Sequence, residues 1–524
     1  MIFLAFAAVF LQANVRKEKT LMRLKKLTCI FLVLVLALGG LLGLTASAAD
    51  VEYEKNCPLI YVVGFMSDPL YKNPGTAQQE MIWPPSSDVI LGAVKEVLPT
   101  LVTVAVTKDW DKLSDALIPA VNKFFSPVWL NKDGEVDNNT GIIFNYPSRE
   151  AVLSGRELTF RYDWRLSPLE IASQLNDFIE YVCNVSGSEK VCLKAHSYGG
   201  VVTLSYIKLF GRDRLQGVVF DSTAVFGETY TGELLTGKII LSVDAIRYFL
   251  SYVLDGTDYK SLVSAAGELL SRAGVLDFVM NFADELLEGI KPKVIPEVVM
   301  PLFCRWPTIW AMCPDEYVDE AYGYVFGEAC DSDPADYAKL IAKLKAYDNT
   351  VRTDRLTLLK DTEEQCRFGV YSAYGYSSVP ITPSWYSNGD GVIDAKYTSF
   401  GATVAPVGKT LSEDYISTKD TKYISPDKQV DASTCLFPEK TWFINYLKHS
   451  SGHDSLDELS DIILYSSEEI TVDTLEKYPR FLKFDYKSES VSENKAENNN
   501  IFIRFFKAIL DFFETLKKFF AKIF

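Results

Sequence analysis

Ser197 sits in the string Ala195-His196-Ser197-Tyr198-Gly199. An apolar, β-branched run precedes it at residues 191–195, and Val201, Leu204, Ile207 and Phe210 follow at helical spacing. Strand, sharp turn, helix is the setting in which a serine hydroxyl is pushed out of the chain as a nucleophile. The neighbours must be small because strand and helix approach closely there, and Ala195 meets that need where glycine is more usual. The plainer reading is an ordinary serine in a glycine-rich turn. A serine hydroxyl attacks poorly until an imidazole takes its proton, and the imidazole needs a carboxyl to hold its tautomer.

Three histidines are available. His196 is locked beside the serine, with its backbone facing the wrong way for a base. His449 and His453 remain, both C-terminal to Ser197. His449 is favoured because it follows directly on the strand-like run 441–447 and leaves the usual interval before a closing helix at 456–464. His453, one loop later, stays the alternative. The acid is expected in the loop Ser387-Asn388-Gly389-Asp390-Gly391-Val392-Ile393-Asp394, where glycines on both sides let Asp390 adopt an exposed turn. Asp394, beyond the apolar pair, is expected to cap a helix or be solvated. A calcium loop would need further acidic residues at alternate positions, which are missing. The oxyanion formed on attack needs backbone N–H donors from the residue after the nucleophile, Tyr198, and from the loop after the first core strand, Phe65.

These residues need a scaffold. Runs at 58–63, 191–195 and 218–220 alternate with helical stretches such as 169–182, the signature of a mostly parallel sheet covered by helices. An insertion rich in proline and apolar residues spans about 66–155. A second, about 223–375, carries amphipathic stretches at 261–289 and 335–346 and reads as a helical cap. The core domain is expected to span 50–480. Residues 487–500 are dominated by Ser, Glu, Lys and Asn, so 481–500 reads as a linker. Residues 501–524 follow as an amphipathic helix with Arg504, Lys507, Asp511, Glu514, Lys518 and Lys522 in one polar stripe. Such a helix fits a membrane interface. Its plainer role is packing onto the body of the protein or self-association.

At the other end, Met22-Arg23-Leu24-Lys25-Lys26, an apolar stretch at 29–44 and Ala46-Ser47-Ala48 read as a signal peptide over residues 1–49, with Met22 a candidate true start. An uncleaved anchor is the alternative. A secreted, extracellular protein, retained at the outer surface of a membrane by the 501–524 helix, is the expectation. Eight cysteines lie beyond the leader, which permits disulfides outside the cell; no connectivity follows from spacing, and Cys304 with Cys313 is only the most local pair. No CxxC pair exists to favour structural zinc. A net charge of −16 and a pI near 4.9 argue against a nucleic-acid partner.

Taken together, Pro58-Leu-Ile-Tyr-Val-Val-Gly64, the string Tyr162-Asp163-Trp164-Arg165-Leu166, the serine turn and the Gly-Asp-Gly loop resemble the lecithin:cholesterol acyltransferase family, which includes the lysosomal phospholipases, over about residues 57–465. The resemblance implies an α/β-hydrolase fold with helices on both faces of the sheet and an inserted helical cap. It also implies a serine esterase, lipase or acyltransferase that forms a covalent acyl-enzyme from a lipid ester and passes the acyl group to water or an alcohol. Asp390 then takes the place of the family's acid and Phe65 that of its second oxyanion donor. The sequence departs in having Val392-Ile393 after Gly391 rather than Thr-Val, and in lacking the proline usual before Gly64, which bears on substrate specificity. Asp163 and Arg165 are expected to form a structural ion pair. No cofactor and no metal are implied. The competing readings are an esterase of acetylated or feruloylated polysaccharides, which would want a shallow polar cleft, and a catalytically silent lipid-binding protein. Retention of all three of serine, acid and histidine argues against the latter.

Overall fold

The computed structural model describes residues 51–495, apart from 241, 243, 246, 247, 250, 251, 253–274 and 330–332. The leader expected at 1–49, the helix expected at 501–524 and part of the cap therefore lie outside the described residues.

In chain order, core strand β1 (Leu59–Val62) precedes a small antiparallel sheet of β2 (Leu70–Lys72), β3 (Glu80–Trp83) and β4 (Thr140–Gly141). Core strands β5 (Leu158–Phe160), β6 (Val191–His196), β7 (Leu215–Asp221) and β8 (Arg367–Tyr374) follow. Two short pairs come next, β9 (Tyr376–Ser377) with β10 (Asn388–Gly389) and β11 (Thr403–Val404) with β12 (Val430–Asp431). The chain closes with β13 (Thr441–Asn445), β14 (Phe481–Asp485) and β15 (Ser490–Glu493). The central sheet runs β15-β14-β13-β8-β7-β6-β1-β5, parallel throughout except for the β14–β15 pair. Parallel strands need both faces covered, and β6 accordingly buries every side chain.

Crossover helices supply the cover. Pro168–Ser186 starts in a capping box, with the Ser167 hydroxyl and the Glu170 carboxyl satisfying amides at the first turn, and stops at left-handed Gly187. It buries Ile171, Ala172, Leu175, Phe178, Ile179 and Val182, a spacing of three to four that puts them on one face. Burying each of the larger of these stabilises by roughly 1.5–3 kcal/mol before chain entropy is counted. Gly199–Phe210 crosses from β6 to β7, and Arg355–Gln365 lies between the cap and β8.

Two expected boundaries need correction. The linker expected at 481–500 contains β14 and β15, so the sheet runs to at least residue 493. β14 buries Phe481, Leu482 and Phe484, whereas β15 is an edge strand whose side chains are exposed or half-buried, so its Ser and Glu composition gives no core signal. The cap likewise ends before residue 367, since Arg367–Tyr374 is a central strand between β7 and β13. Between β1 and β5, the first insertion holds the small sheet and the paired helices Ser87–Thr107 and Trp110–Phe125. No helix of the described residues is long and apolar enough to cross a membrane.

Cys304 and Cys313 are both buried and do not pair with each other, and no disulfide forms among the described residues. The Sγ atoms of Cys57 and Cys192 lie 3.5 Å apart at the amino-terminal end of the strands.

Candidate active site

Ser197 follows the last residue of β6 and takes a left-handed φ of 57°. That conformation costs a non-glycine residue of order 1–3 kcal/mol, and surrounding structure must enforce it. Its amide donates to the Asp221 carbonyl oxygen at 3.1 Å, and its own carbonyl accepts from the amides of Gly200 and Ala224, both at 3.1 Å. The close approach read from the sequence is tight: a Cβ at Gly199 would fall 2.2 Å from the Val62 carbonyl oxygen. Gly64 is equally constrained, because a Cβ there would lie 2.7 Å from Ser197 Cβ and 3.1 Å from its Oγ. The turn after β1 is thereby laid against the nucleophile. It is held by left-handed Met66 and by the Ser67 hydroxyl, which donates to the Gly64 carbonyl at 2.8 Å. Phe65 and Tyr198 begin the two segments flanking Ser197. The Phe65 ring packs edge-on to Trp164 at 5.1 Å and against Trp306 at 6.2 Å.

Asp390, fully buried, sits just after β10. Its Oδ1 accepts the amides of Val392 and Ile393 at 2.9 and 2.7 Å, and its Oδ2 lies 2.8 Å from His449 Nδ1. A carboxylate accepts only, so Nδ1 carries the proton and Nε2 presents its lone pair to Ser197 Oγ, 2.9 Å away. The His449 amide donates to the Asp390 carbonyl at 3.0 Å, stitching the two loops together through the main chain. Burial works against a charged His449, but Asp390 outweighs it, with Glu228 and Asp221 adding to the pull, and the imidazole is held above its ordinary value. The structure therefore brings Ser197, His449 and Asp390 into one hydrogen-bonded chain.

His453 is placed otherwise: its Nδ1 meets the Asp221 carboxyl and its Nε2 the Lys448 carbonyl. Asp394 is not solvated; it is the N-cap residue of the short helix Ala395–Thr398, its carbonyl taking the Tyr397 and Thr398 amides, while its carboxyl meets the first residue of the helix Thr229–Leu235. That carboxyl is buried, takes the Thr229 amide at 3.2 Å and the Thr229 hydroxyl on Oδ2, and burial pushes it up to about 6. The expected Asp163–Arg165 pair forms as a bidentate contact, with Nε to Oδ1 at 2.9 Å and Nη2 to Oδ2 at 2.7 Å. Arg165 is fully buried and also donates to the Val128 carbonyl and to Thr140, pinning the first insertion to the loop after β5.

Sequence reading passed over three residues here. Asp221 closes an apolar strand. Glu228 is buried at the start of the cap, where burial pushes it up to about 7. Tyr252 lies so close to the acid loop that a Cβ at Gly391 would meet its ring at 2.2 Å. None carries a local motif, and each is found only through its distant neighbours.

Eight strands, parallel save one edge, with helices around them and a serine turn at the carboxyl end of β6, define an α/β-hydrolase fold. Within it, residues 155–242 match the family model of lecithin:cholesterol acyltransferase, and the chain is similar to that family there. The match includes Ser197 and Asp221. No curated protein matches the chain. Among solved structures, a chain of "The crystal structure of Tle4-Tli4 complex" is 17% identical, over 34% of this chain and 48% of that chain, with a TM-score of 0.18. This chain thus spans about half the length of that one, and a likeness so slight carries no argument.

Proposed function

We propose that the protein is a serine hydrolase or acyltransferase acting on lipid esters through Ser197, His449 and Asp390. The observation that carries this reading is the continuous contact from Ser197 Oγ to His449 Nε2 at 2.9 Å and from His449 Nδ1 to Asp390 Oδ2 at 2.8 Å. His449 removes the hydroxyl proton as Ser197 Oγ bonds to the ester carbonyl carbon, and the carbonyl oxygen becomes the oxyanion. The amides of Phe65 and Tyr198 receive that charge, the second held at the head of the helix Gly199–Phe210. Collapse breaks the ester C–O bond, and His449 returns its proton to the departing alcohol. Water or a second alcohol, deprotonated by the same imidazole, then takes the acyl group from Ser197. The family match supports a lipid ester, and the half-buried Phe65 ring beside the serine turn, backed by the buried indoles of Trp164 and Trp306, supports an apolar environment at the acyl group. The basic and apolar leader supports export, and the amphipathic pattern of 501–524 supports retention at a membrane surface.

The test is turnover of p-nitrophenyl esters of graded chain length and of phospholipid vesicles by the wild type and by Ser197→Ala. Loss of turnover and of fluorophosphonate labelling in the variant is expected, with the melting temperature nearly unchanged. Labelling that persists at another serine would sink the assignment.

A further inference from the structure

All three histidines of the chain converge on one spot. The His196 ring lies 4.8 Å from that of His449 and 4.6 Å from that of His453. His449 is engaged with Ser197 and Asp390. His453, four residues further on, faces acceptors on both sides. Its Nδ1 is 2.8 and 2.9 Å from the two carboxyl oxygens of Asp221, and its Nε2 is 2.9 Å from the Lys448 carbonyl oxygen. A neutral imidazole has one N–H to give, so only the imidazolium donates to both. Asp221 is fully buried at the end of β7. Through its main chain it accepts the Ser197 amide at 3.1 Å. Through its side chain and His453 it grips the carbonyl of the residue next to His449. One aspartate is thus tied to the nucleophile and, by two hydrogen bonds, to the loop of the base.

We propose that Asp221 and His453 form a buried carboxylate–imidazolium pair that positions His449, clamping the Lys448–His449 turn to the end of β7 and setting the charge that His449 experiences. The inference rests on the reading of His449 as the base. His453 is a positioning residue, since its Nε2 is closed off by Lys448 and points at no reacting atom.

The electrostatics agree with this geometry. Burial disfavours the Asp221 charge, yet His453 and His196 hold that carboxyl well below the usual range. His196, by contrast, is pushed down to about 4 by burial and stays neutral between the two loops. The groups facing His449 are Asp390 on the acid loop, Glu228 at the start of the cap, Asp221 on β7, and His196 with Ser197 on the serine turn. Those facing Asp221 are His453 and His196, with Lys194 of β6, Tyr61 of β1 and Tyr371 of β8 within its field. The Lys448 ammonium is directed away, over the rings of Tyr252 and Tyr486.

His196, Asp221 and His453 also place potential ligand atoms within 4.8 Å of one another, a spacing that could hold a cation. A shared proton accounts for His453 Nδ1 resting at hydrogen-bond length from both carboxyl oxygens, so the proton is the reading argued and a metal is an outcome of the test.

Two measurements decide it. In [15N]histidine-labelled wild type, with the His453→Gln spectrum assigning the signal, His453 should show an N–H on each ring nitrogen, one for the Asp221 carboxyl and one for the Lys448 carbonyl. A single neutral tautomer would overturn the proposal. So would a spectrum that changes on adding one equivalent of zinc and reverts with chelator. This readout needs no substrate, so it stands even if ester turnover fails. The second measurement is the pH profile of kcat/KM. His453→Gln leaves the Asp221 charge uncancelled, which raises the pKa of His449 and moves the acid limb to higher pH. Asp221→Asn removes a charge that favours imidazolium at His449 and moves the limb to lower pH. Shifts of roughly half a unit or more in opposite directions are expected, with kcat/KM down about 10–100-fold at the optimum from misplacement of the base. Limbs that stay put or move together, beside equal losses of melting temperature, would mean scaffolding only and refute the positioning role. Should Asp221→Asn fail to fold, the wild-type spectrum decides; should His453→Gln fail, the His196→Gln and His449→Gln spectra assign the His453 signal by elimination among the three histidines.

Discussion

Exchanging Asp390 for asparagine isolates what the carboxyl does for His449. The Oδ1 position accepts two amides, from Val392 at 2.9 Å and Ile393 at 2.7 Å. An asparagine must put its oxygen there, because turning its NH2 group toward two N–H donors would leave three donors facing one another. Its Nδ2 then occupies the Oδ2 site, 2.8 Å from His449 Nδ1, and the imidazole must accept where it formerly donated. The proton moves to Nε2 and points at Ser197 Oγ, so the base is lost although its position is unchanged. A misdirected tautomer of this kind costs roughly 10⁴ in kcat, about 5.5 kcal/mol. The fold keeps both loop contacts and loses one charge-assisted hydrogen bond, a cost of about 1.5–3 kcal/mol. The assay is steady-state hydrolysis of a p-nitrophenyl ester at neutral pH, with the fluorophosphonate labelling rate and a thermal melt alongside. A folded Asp390→Asn protein that keeps more than a tenth of wild-type kcat would refute the reasoning, since Asp390 would then not direct the proton on His449.

Two further outcomes follow from the same geometry. Gly64→Ala places a methyl 2.7 Å from Ser197 Cβ, so the turn carrying Phe65 must move; kcat should fall by about 10² or more, with inhibitor labelling slowed in step, and an active Gly64→Ala protein would show that this turn is not part of the oxyanion site. Burial pushes Glu228 from 4.5 up to about 7. The folded protein therefore holds that proton after the unfolded chain has released it, and stability is lost as pH rises from about 4.5 to about 7, on the order of 3 kcal/mol at most. Glu228→Gln should flatten the fall in melting temperature between pH 5 and 8, and an unchanged slope would place that titration elsewhere.

Ser197, Asp390 and a base at His449 or His453 could be named from the sequence because their signals are local or arithmetical. The serine turn needs about twenty contiguous residues to declare itself as strand, turn and helix. Asp390 is marked by its flanking glycines, and a chain with three histidines leaves few bases to choose from. The parallel sheet was legible for a similar reason: strands buried on both faces read as short apolar runs. β15 was not, since an edge strand can be built of Ser and Glu when its side chains meet water, and the true start of β8 was hidden behind a polar helix. Only the tertiary structure separates His449 from His453. Both lie on one loop, and what distinguishes them is Asp221, brought up from 232 residues away to occupy His453. The charge of Asp221 itself is invisible in a strand that otherwise reads as core, because a buried carboxylate is tolerated only where a partner from elsewhere in the chain meets it. Local pattern therefore determined which residue types could react. The long-range packing of β7, the acid loop and the base loop decided which imidazole faces the serine.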